Sequence, residues 1–411
     1  MWWAGKTKIW GSISDAYDSF NPDLEGDSGV ISRSIGAGPV DQINWMASNQ
    51  RLLIGAQGTE FSARASTLDE PLSPSAFVVK PASNQGSAAI DAVKVDNRCI
   101  FVQRNGSKIY ELAFDTRWYD YAAHDLTTII PEIGYPGIVR IAMQRQQDTR
   151  IHCVRSDGTV ALFVQDKTED MQAWIDIETD GDVEDVVVLP GESGSLDDDV
   201  YYVVKRTINA ATVRYLEKWA QQIDCEGGTV NKQADAFIVV TNAPASVTVS
   251  GLSHLEGEEV AVWADGEDVG TDTDYTYLYT VSGGAITLAA AATSIVVGLP
   301  YTAQFKSMKL GSATQSIATS LNHNKNINHV GLVLADTHPK GIRYGPEFTF
   351  MDSMPNMEAE KLVDQNTIHT AYDEHPIEFP GIWNTDSRLC LQSQAPRPCT
   401  VLSAVIQMEL T

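Results

Sequence analysis

Four short β-rich runs recur along this sequence at a nearly constant interval. Arg51-Leu52-Leu53-Ile54, Arg98-Cys99-Ile100-Phe101, Arg150-Ile151-His152-Cys153 and Asp199-Val200-Tyr201-Tyr202 each open an apolar stretch, and their first residues lie 47, 52 and 49 positions apart. A turn and a second apolar run follow each one. The turns are Gln57-Gly58, Asn105-Gly106, Asp157-Gly158 and the looser Asn209-Ala210. Asn-Gly and Asp-Gly accept the positive φ angles of a tight hairpin, so the middle two are the strongest hairpin signals.

After the turns, Tyr110, Leu112 and Phe114 alternate with Ile109, Glu111 and Ala113, while Val160, Leu162 and Val164 alternate with Ala161 and Phe163. A period of two gives a sheet with two distinct faces. Helical periodicity is almost absent, and Gly, Asn, Asp and Pro break up the β-branched and aromatic runs. The chain therefore reads as all-β. A hairpin unit every ~50 residues matches the blade spacing of a β-propeller; the plainer reading is a run of unrelated meander hairpins. A partial blade is expected around Lys8-Ile9-Trp10. Four repeats and a partial one are few for a closed ring, so closure would need strands from elsewhere.

Composition then excludes several partners. Asp and Glu number 54 against 29 Lys and Arg, a formal net charge of −25 over 411 residues. A protein that grips nucleic acid by counterion release needs a basic face, which this balance opposes. The most apolar stretch, Ala285 to Pro300, is shorter than the roughly 20 residues a membrane span needs. The opening Met1-Trp2-Trp3-Ala4-Gly5-Lys6 holds no apolar run of signal-peptide length. The five cysteines, at 99, 153, 225, 390 and 399, form no disulfide framework and fit a reducing cytoplasm. Only Cys390 and Cys399 lie close enough to pair across two strands, and free thiols are the stronger reading.

Residues 1–224 form the blade region in this reading. Residues 225–308 form a small β-sandwich or barrel module, inserted or appended. Its expected strands are Val247 to Val249, Val260 to Trp263, Tyr275 to Val281, Ile286 to Leu288 and Ser294 to Val297. Its turns are Asp265-Gly266 and Ser282-Gly283-Gly284. Residues 309–411 form a C-terminal β platform, with strands at Ile327 to Leu334, Arg388 to Gln392 and Thr400 to Leu410. A polar stretch from Asp352 to His375 reads as a long loop or arm, a feature that usually serves binding.

Candidate chemistry is sparse. Asp176, Glu178, Asp180, Gly181 and Asp182 imitate the start of a calcium loop, but the twelfth position, where a bidentate Glu is required, is Val187. A solvated hairpin tip is the stronger reading, and Asp197-Asp198-Asp199 is similarly a charged loop. His323, His329, His338, His369 and His375 cluster in sequence without a zinc-ligand spacing. Gly191-Glu192-Ser193-Gly194-Ser195 lacks the last Gly of a nucleophile elbow and lies between strands. Paired carboxylates of a propeller glycosidase cannot be singled out, and the Ser-x-Asp-x-Gly-x-x-Trp boxes of sialidase blades are missing. The sequence therefore assigns no catalytic, cofactor-binding or metal residue, no cofactor and no enzymatic activity.

Asn44-Trp45, Arg51-Leu52-Leu53-Ile54-Gly55 and Gly58-Thr59-Glu60-Phe61 resemble a Gly-x-x-Gly-x-Glu blade of phage tail nozzle proteins. This family is also called tail tubular protein B, or stabilisation protein, of short-tailed bacteriophages. Further stretches are similar in the same order: Tyr121 to Thr127, Ser156 to Val160, Trp174 to Val188, Val213 to Glu217, Gly251 to Gly257, Val262 to Gly266, Tyr301 to Phe305, Asn326 to Val330 and Pro396 to Ser403. Each motif alone is weak; their collinearity from about residue 40 onward carries the likeness. Family members often have an N-terminal platform part before this region, which would make this sequence a short variant or a fragment.

The resemblance implies a structural virion protein of the phage tail, assembled in the host cytoplasm. It would form a homo-oligomeric ring, six-fold in the family, below a portal adaptor or upper tail protein, and carry tail fibres or spikes. Its channel would conduct double-stranded DNA during genome ejection without binding it tightly. A strongly negative ring suits that task, because it repels an equally negative duplex. The acidic stretches Asp176 to Asp185 and Asp197 to Asp199 are then expected at the lumen or in solvent, and the strands from Arg388 to Leu410 at subunit contacts. The rival reading is a receptor- or glycan-binding adhesive protein, in which Tyr275, Tyr277 and Tyr279 would stack a sugar; a core face is the stronger reading for those tyrosines. A propeller hydrolase ranks last for lack of a site.

Overall fold

A computed structural model describes all residues except 36–41, 66–69, 167, 170, 193, 273, 312–319, 356–365, 374–375 and 411. The fold is all-β, built of antiparallel sheets. The described chain divides into two compact units. One is Met1–Arg206 with Arg214–Trp219, and the other is Thr207–Val213 with Ala220–Thr411.

The first unit is a propeller-like series of five sheets. Blade 1 holds β1 (Trp2–Gly5), β2 (Lys8–Gly11) and β3 (Ile31–Ser34). Blade 2 holds β4 (Ile43–Ser48), β5 (Leu52–Ala56), β6 (Glu60–Arg64) and β7 (Val78–Ser83). Blade 3 holds β8 (Val93–Val95), β9 (Arg98–Val102), β10 (Ile109–Asp115) and β11 (Asp120–Asp125). Blade 4 holds β12 (Ile138–Gln144), β13 (Thr149–Arg155), β14 (Val160–Asp166) and β15 (Met171–Ile177). Blade 5 holds β16 (Asp182–Leu189), β17 (Asp199–Ile208) and β18 (Ala211–Lys218). Each strand pairs with the next in sequence, as meander hairpins do.

Alternation decides how the blades pack. Leu52 and Ile54 of β5 join Ile9 in a core between blades 1 and 2, while Leu53, pointing the other way, joins Cys99 and Phe101 between blades 2 and 3. Ile100 and Val102 turn from that core into the next, with Ile151, Cys153, Ala161 and Phe163 of blade 4. Val154 and Val160 then meet Val183, Val186, Val200 and Val204 of blade 5. Every inner sheet thus has two apolar faces and shares a core with each neighbour. That is why its central strands read as near-continuous apolar runs.

The four repeat turns fall where the sequence places them, with one difference in character. Asn209-Ala210, the loosest by composition, is a two-residue loop in which both residues take positive φ, 47° and 62°. This is the arrangement of a type I′ hairpin, imposed by the flanking strands on a residue pair that does not favour it.

The second unit contains both regions that the sequence separates at residue 308. A ribbon of β19 (Asp235–Ser250) pairs through β23 (Ala285–Leu299) with β20 (Glu259–Ala264), which carries β21 (Glu267–Asp268) and β22 (Tyr279–Thr280). The two strands expected at Ile286 to Leu288 and Ser294 to Val297 are one strand. Register shifts between Thr241 and Thr248 interrupt the alternation that would have shown the long ribbon. Its core holds Val249, Leu252, Leu255, Val260, Val262, Ile295 and Val297. Trp263 is fully buried and donates its indole N–H to the Gly228 carbonyl at 2.9 Å.

Beyond it, β24 (Thr302–Lys306), β26 (Arg343–Glu347), β27 (Phe350–Ser353) and β30 (Cys390–Gln394) form one sheet. The long β25 (Lys325–Thr337) pairs with β28 (His369–Tyr372), β29 (Ile377–Glu378) and β31 (Thr400–Leu410) in another. The stretch expected as a loop from Asp352 to His375 therefore begins in β27 and contains β28. Its middle, 356–365, and His375 lie outside the described residues.

Candidate functional site

The residues that carry the repeat lock one blade to the next. Arg51 reaches from blade 2 to the Asp120 carboxylate of blade 3 at 2.5 Å and to the Tyr119 carbonyl at 2.8 Å, its guanidinium 5.2 Å from the Phe114 ring centre. One blade on, Arg98 pairs with Glu111 and reaches Gln165 of blade 4 at 2.8 Å. One blade further, His152 bonds the Tyr202 hydroxyl of blade 5 at 2.5 Å, with Trp219 edge-on to its ring. Burial holds His152 neutral, its pKa pushed down to about 3.

The Gly-x-x-Gly-x-Glu residues have structural tasks too. A Cβ at Gly55 would lie 2.0 Å from the Trp45 indole, so the glycine lets Trp45 cross the strand. The buried Glu60 carboxylate accepts hydrogen bonds from the Ser83 and Ser87 hydroxyls and from the backbone at Gln85 and Gly86. Burial still raises its pKa above the ordinary carboxylate value; the hydrogen bonds oppose that shift. A buried carboxylate satisfied in this way fixes a loop.

The acidic stretches are not free anionic tips. Asp176 pairs with Arg155 at 2.8 Å, Asp182 with Lys205 at 2.8 Å, Glu184 with Arg214 at 2.6 Å and Asp185 with Arg140 at 3.1 Å. Asp198 accepts the Arg145 and Gln146 amides, Asp199 pairs with Lys218 at 2.7 Å, and Asp197 is buried. Asp176, Asp182, Glu184 and Asp185 stay exposed although paired, as a solvated hairpin tip requires, whereas the charged loop expected at 197–199 is corrected, because Asp197 and Asp199 are buried. Among the described residues, no group of three or more His, Cys, Asp or Glu side chains is placed to hold a metal ion. That covers the calcium-like loop and the described histidines. His323 is exposed, His329 lies in β25 and His369 in β28. His338 is buried, its pKa pushed down to about 4 chiefly by desolvation and then by Arg397. Ser193 and His375 lie outside the described residues. All five cysteines are free, so Cys390 and Cys399 do not pair.

The tyrosine stripe is also corrected. Only Tyr279–Thr280 is strand. Asp272 caps a turn by accepting the Asp274 and Thr276 amides, and Tyr275 sits at a φ of 65°. Its ring lies 4.9 Å from the Arg343 guanidinium and 4.8 Å from that of Arg397, and the Tyr277 hydroxyl donates to the Ala395 carbonyl at 2.7 Å. Both side chains are committed to intramolecular contacts that tie the ribbon to the C-terminal sheets. The centre of that tie is a buried ion pair, Arg397 with Asp268 at 2.7 Å. No sequence motif singled out Asp268, whose partner is 129 residues away.

A cleft of about 500 Å³ in the first unit is lined by Trp2, Asn49, Arg51, Arg64, Glu70 and Phe114, among others. Among the described residues, the buried Asn49 Nδ2 has no hydrogen-bond partner. Sequence reasoning missed this cleft because its residues come from blades 1, 2 and 3 and form no motif.

No family model matches the sequence, and no curated protein matches it. Among solved structures, a chain described as Bacteroides ovatus Xyloglucan PUL GH43B aligns over 90% of this chain and 90% of its own, at 9% identity and a TM-score of 0.24. A superposition that loose transfers no site, substrate or activity. The expectation that the chain has no enzymatic activity is withdrawn as a finding at this point, and a likeness at that TM-score supplies no activity in its place. Among the described residues, no helix is long and apolar enough to cross a membrane.

Proposed function

We propose that this chain is a structural subunit of a phage tail, a nozzle-type protein that completes a ring with copies of itself and lets double-stranded DNA pass during genome ejection. One observation carries the reading: residues of the nozzle-like motifs are spent on holding blades in register. Gly55 admits Trp45, Glu60 fixes the loop at 85–87 and Arg51 ties blade 2 to blade 3. Such residues suit a part whose task is shape. The charge of −25 per chain supports the same reading, since a conduit should repel its cargo. A portal adaptor above and fibres or spikes at the side are the partners that go with it.

Electron microscopy of the purified protein tests this directly. Rings with an open axial channel are expected, six-fold if the nozzle likeness holds; solitary particles at every concentration would sink the proposal. A second reading, glycan or receptor binding, has one observation in its favour, the cleft with the unpartnered Asn49 amide. A glycan array probes it: saturable binding abolished by N49A would support adhesion.

A further inference from the structure

Among the described residues, the buried and half-buried arginines of the blade unit hold a carboxylate, with one exception. Arg51 pairs with Asp120, Arg98 with Glu111, Arg150 with Asp148, Arg155 with Asp176 and Arg206 with Glu217. Arg64, the last residue of β6, is half-buried and has neither an ion pair nor a side-chain hydrogen bond. A guanidinium partly withdrawn from water without an acceptor is costly unless something else supplies one.

Arg64 lines the cleft of about 500 Å³, and so does Asn49, whose buried Nδ2 also lacks a partner among the described residues. Two unpartnered donors at one cavity call for a ligand rich in acceptors. The charges decide its sign and size. Arg51 is already matched by Asp120, and Glu70, the one acid of the lining, is exposed and makes no ion pair among the described residues. One unmatched cation suits a single carboxylate; a phosphate dianion would carry one charge too many into a chain of −25. The volume is that of a small organic ligand, and a lone inorganic anion would leave most of it empty.

The remaining groups suit a sugar. Ser48, Asn49, Gln50 and Glu70 bring hydroxyl, amide and carboxylate groups to the lining, a set matched to vicinal hydroxyls, while Trp2 and Phe114 supply aromatic surface for ring C–H groups. Arg51 also ties the wall to the β10–β11 tip through the Tyr119 carbonyl at 2.8 Å, and there Trp118 and Tyr119 stand 76% and 72% exposed.

We propose that this cleft binds a carboxylated sugar, a uronic acid residue of an oligosaccharide, with the carboxylate on Arg64 and a sugar oxygen accepting from Asn49 Nδ2. The inference rests on the glycan reading, whose ligand it specifies, and is independent of the ring reading.

Titration calorimetry on the full chain tests it, with oligosaccharides ending in glucuronate or galacturonate against the same oligosaccharides ending in glucose or galactose. The acidic forms are expected to bind at least tenfold tighter. R64Q should erase that preference and R64K retain part of it, both with an unchanged melting temperature because Arg64 holds nothing in the fold. Equal binding of acidic and neutral forms, lost in N49A, overturns the carboxylate assignment and leaves the glycan reading standing. Acetate or a tripeptide with a free C-terminus competing as well as the uronates overturns the sugar assignment. Absence of binding by every oligosaccharide overturns both readings. If R64Q does not fold, the acidic and neutral pairs on the wild-type chain decide alone.

Discussion

The two units solve the same problem, burying an all-β chain, with opposite use of sequence distance. In the blade unit each strand pairs with its neighbour in sequence, and the cores lie between consecutive sheets. In the second unit the defining links are remote: β24 pairs with β30, β25 with β31, and Arg397 reaches back to Asp268. The charged residues follow suit. Blade ties recur from sheet to sheet with changing partners, Arg51 on the partly exposed Asp120, Arg98 on Gln165 and His152 on Tyr202, whereas the Arg397–Asp268 pair is sealed from water at both ends. Repetition distributes stability over many modest contacts; remote closure concentrates it in few.

The largest expected effect tests that concentration. R397L strands the Asp268 carboxylate, which burial already raises in pKa, and should destabilise the second unit by about 3–5 kcal/mol. Urea unfolding followed by limited proteolysis should show the second unit melting early and the blades unmoved. Equal loss from both units would break the comparison. G55A is next, because the new methyl collides with the Trp45 indole; about 1–3 kcal/mol should disappear from the blade unit alone.

Acid should strain both units. His152 and His338 are held neutral with pKa values about 3 and about 4, against roughly 6.5 in an unfolded chain. Between those values the unfolded chain binds more protons, so this stability is full above about pH 6.5 and falls as pH drops. The loss is on the order of 1.4 kcal/mol per pH unit for each histidine inside its window. Glu60, with its raised pKa, gives a slope of the opposite sign just above its ordinary value. Thermal melts of H152F against wild type between pH 7 and pH 4 should show a flatter decline; an unchanged slope would remove His152 as a cause. The smallest effect belongs to the surface: D176N removes a half-exposed partner of Arg155 and should cost under about 1 kcal/mol by chemical denaturation.

The same contrast explains what could be read in advance. Blade strands were legible because local hairpins leave their pattern in consecutive residues: Tyr110 and Leu112 enter one core and Ile109 the next, as the alternation requires. The Tyr275 to Val281 strand differs from expectation because an Asx-type turn at Asp272 takes up Tyr275 and Thr276, and alternation alone does not reveal a turn. The ion-pair partners of acids such as Asp182 were not legible because their cations arrive from other strands. The cleft and the Arg397–Asp268 pair were illegible for a related reason, since their members meet only once the sheets are assembled.

The shared cores of the blade unit have a mechanical consequence. An inner sheet is clamped on both faces, whereas blades 1 and 5 each have one core partner, and among the described residues no apolar cluster joins those two to each other. A pull on this unit would therefore peel plates from the ends of the row inward, each detachment baring the face that had shielded the next. Resistance to such loading would depend less on any single bond than on whether something outside the row braces its two terminal plates.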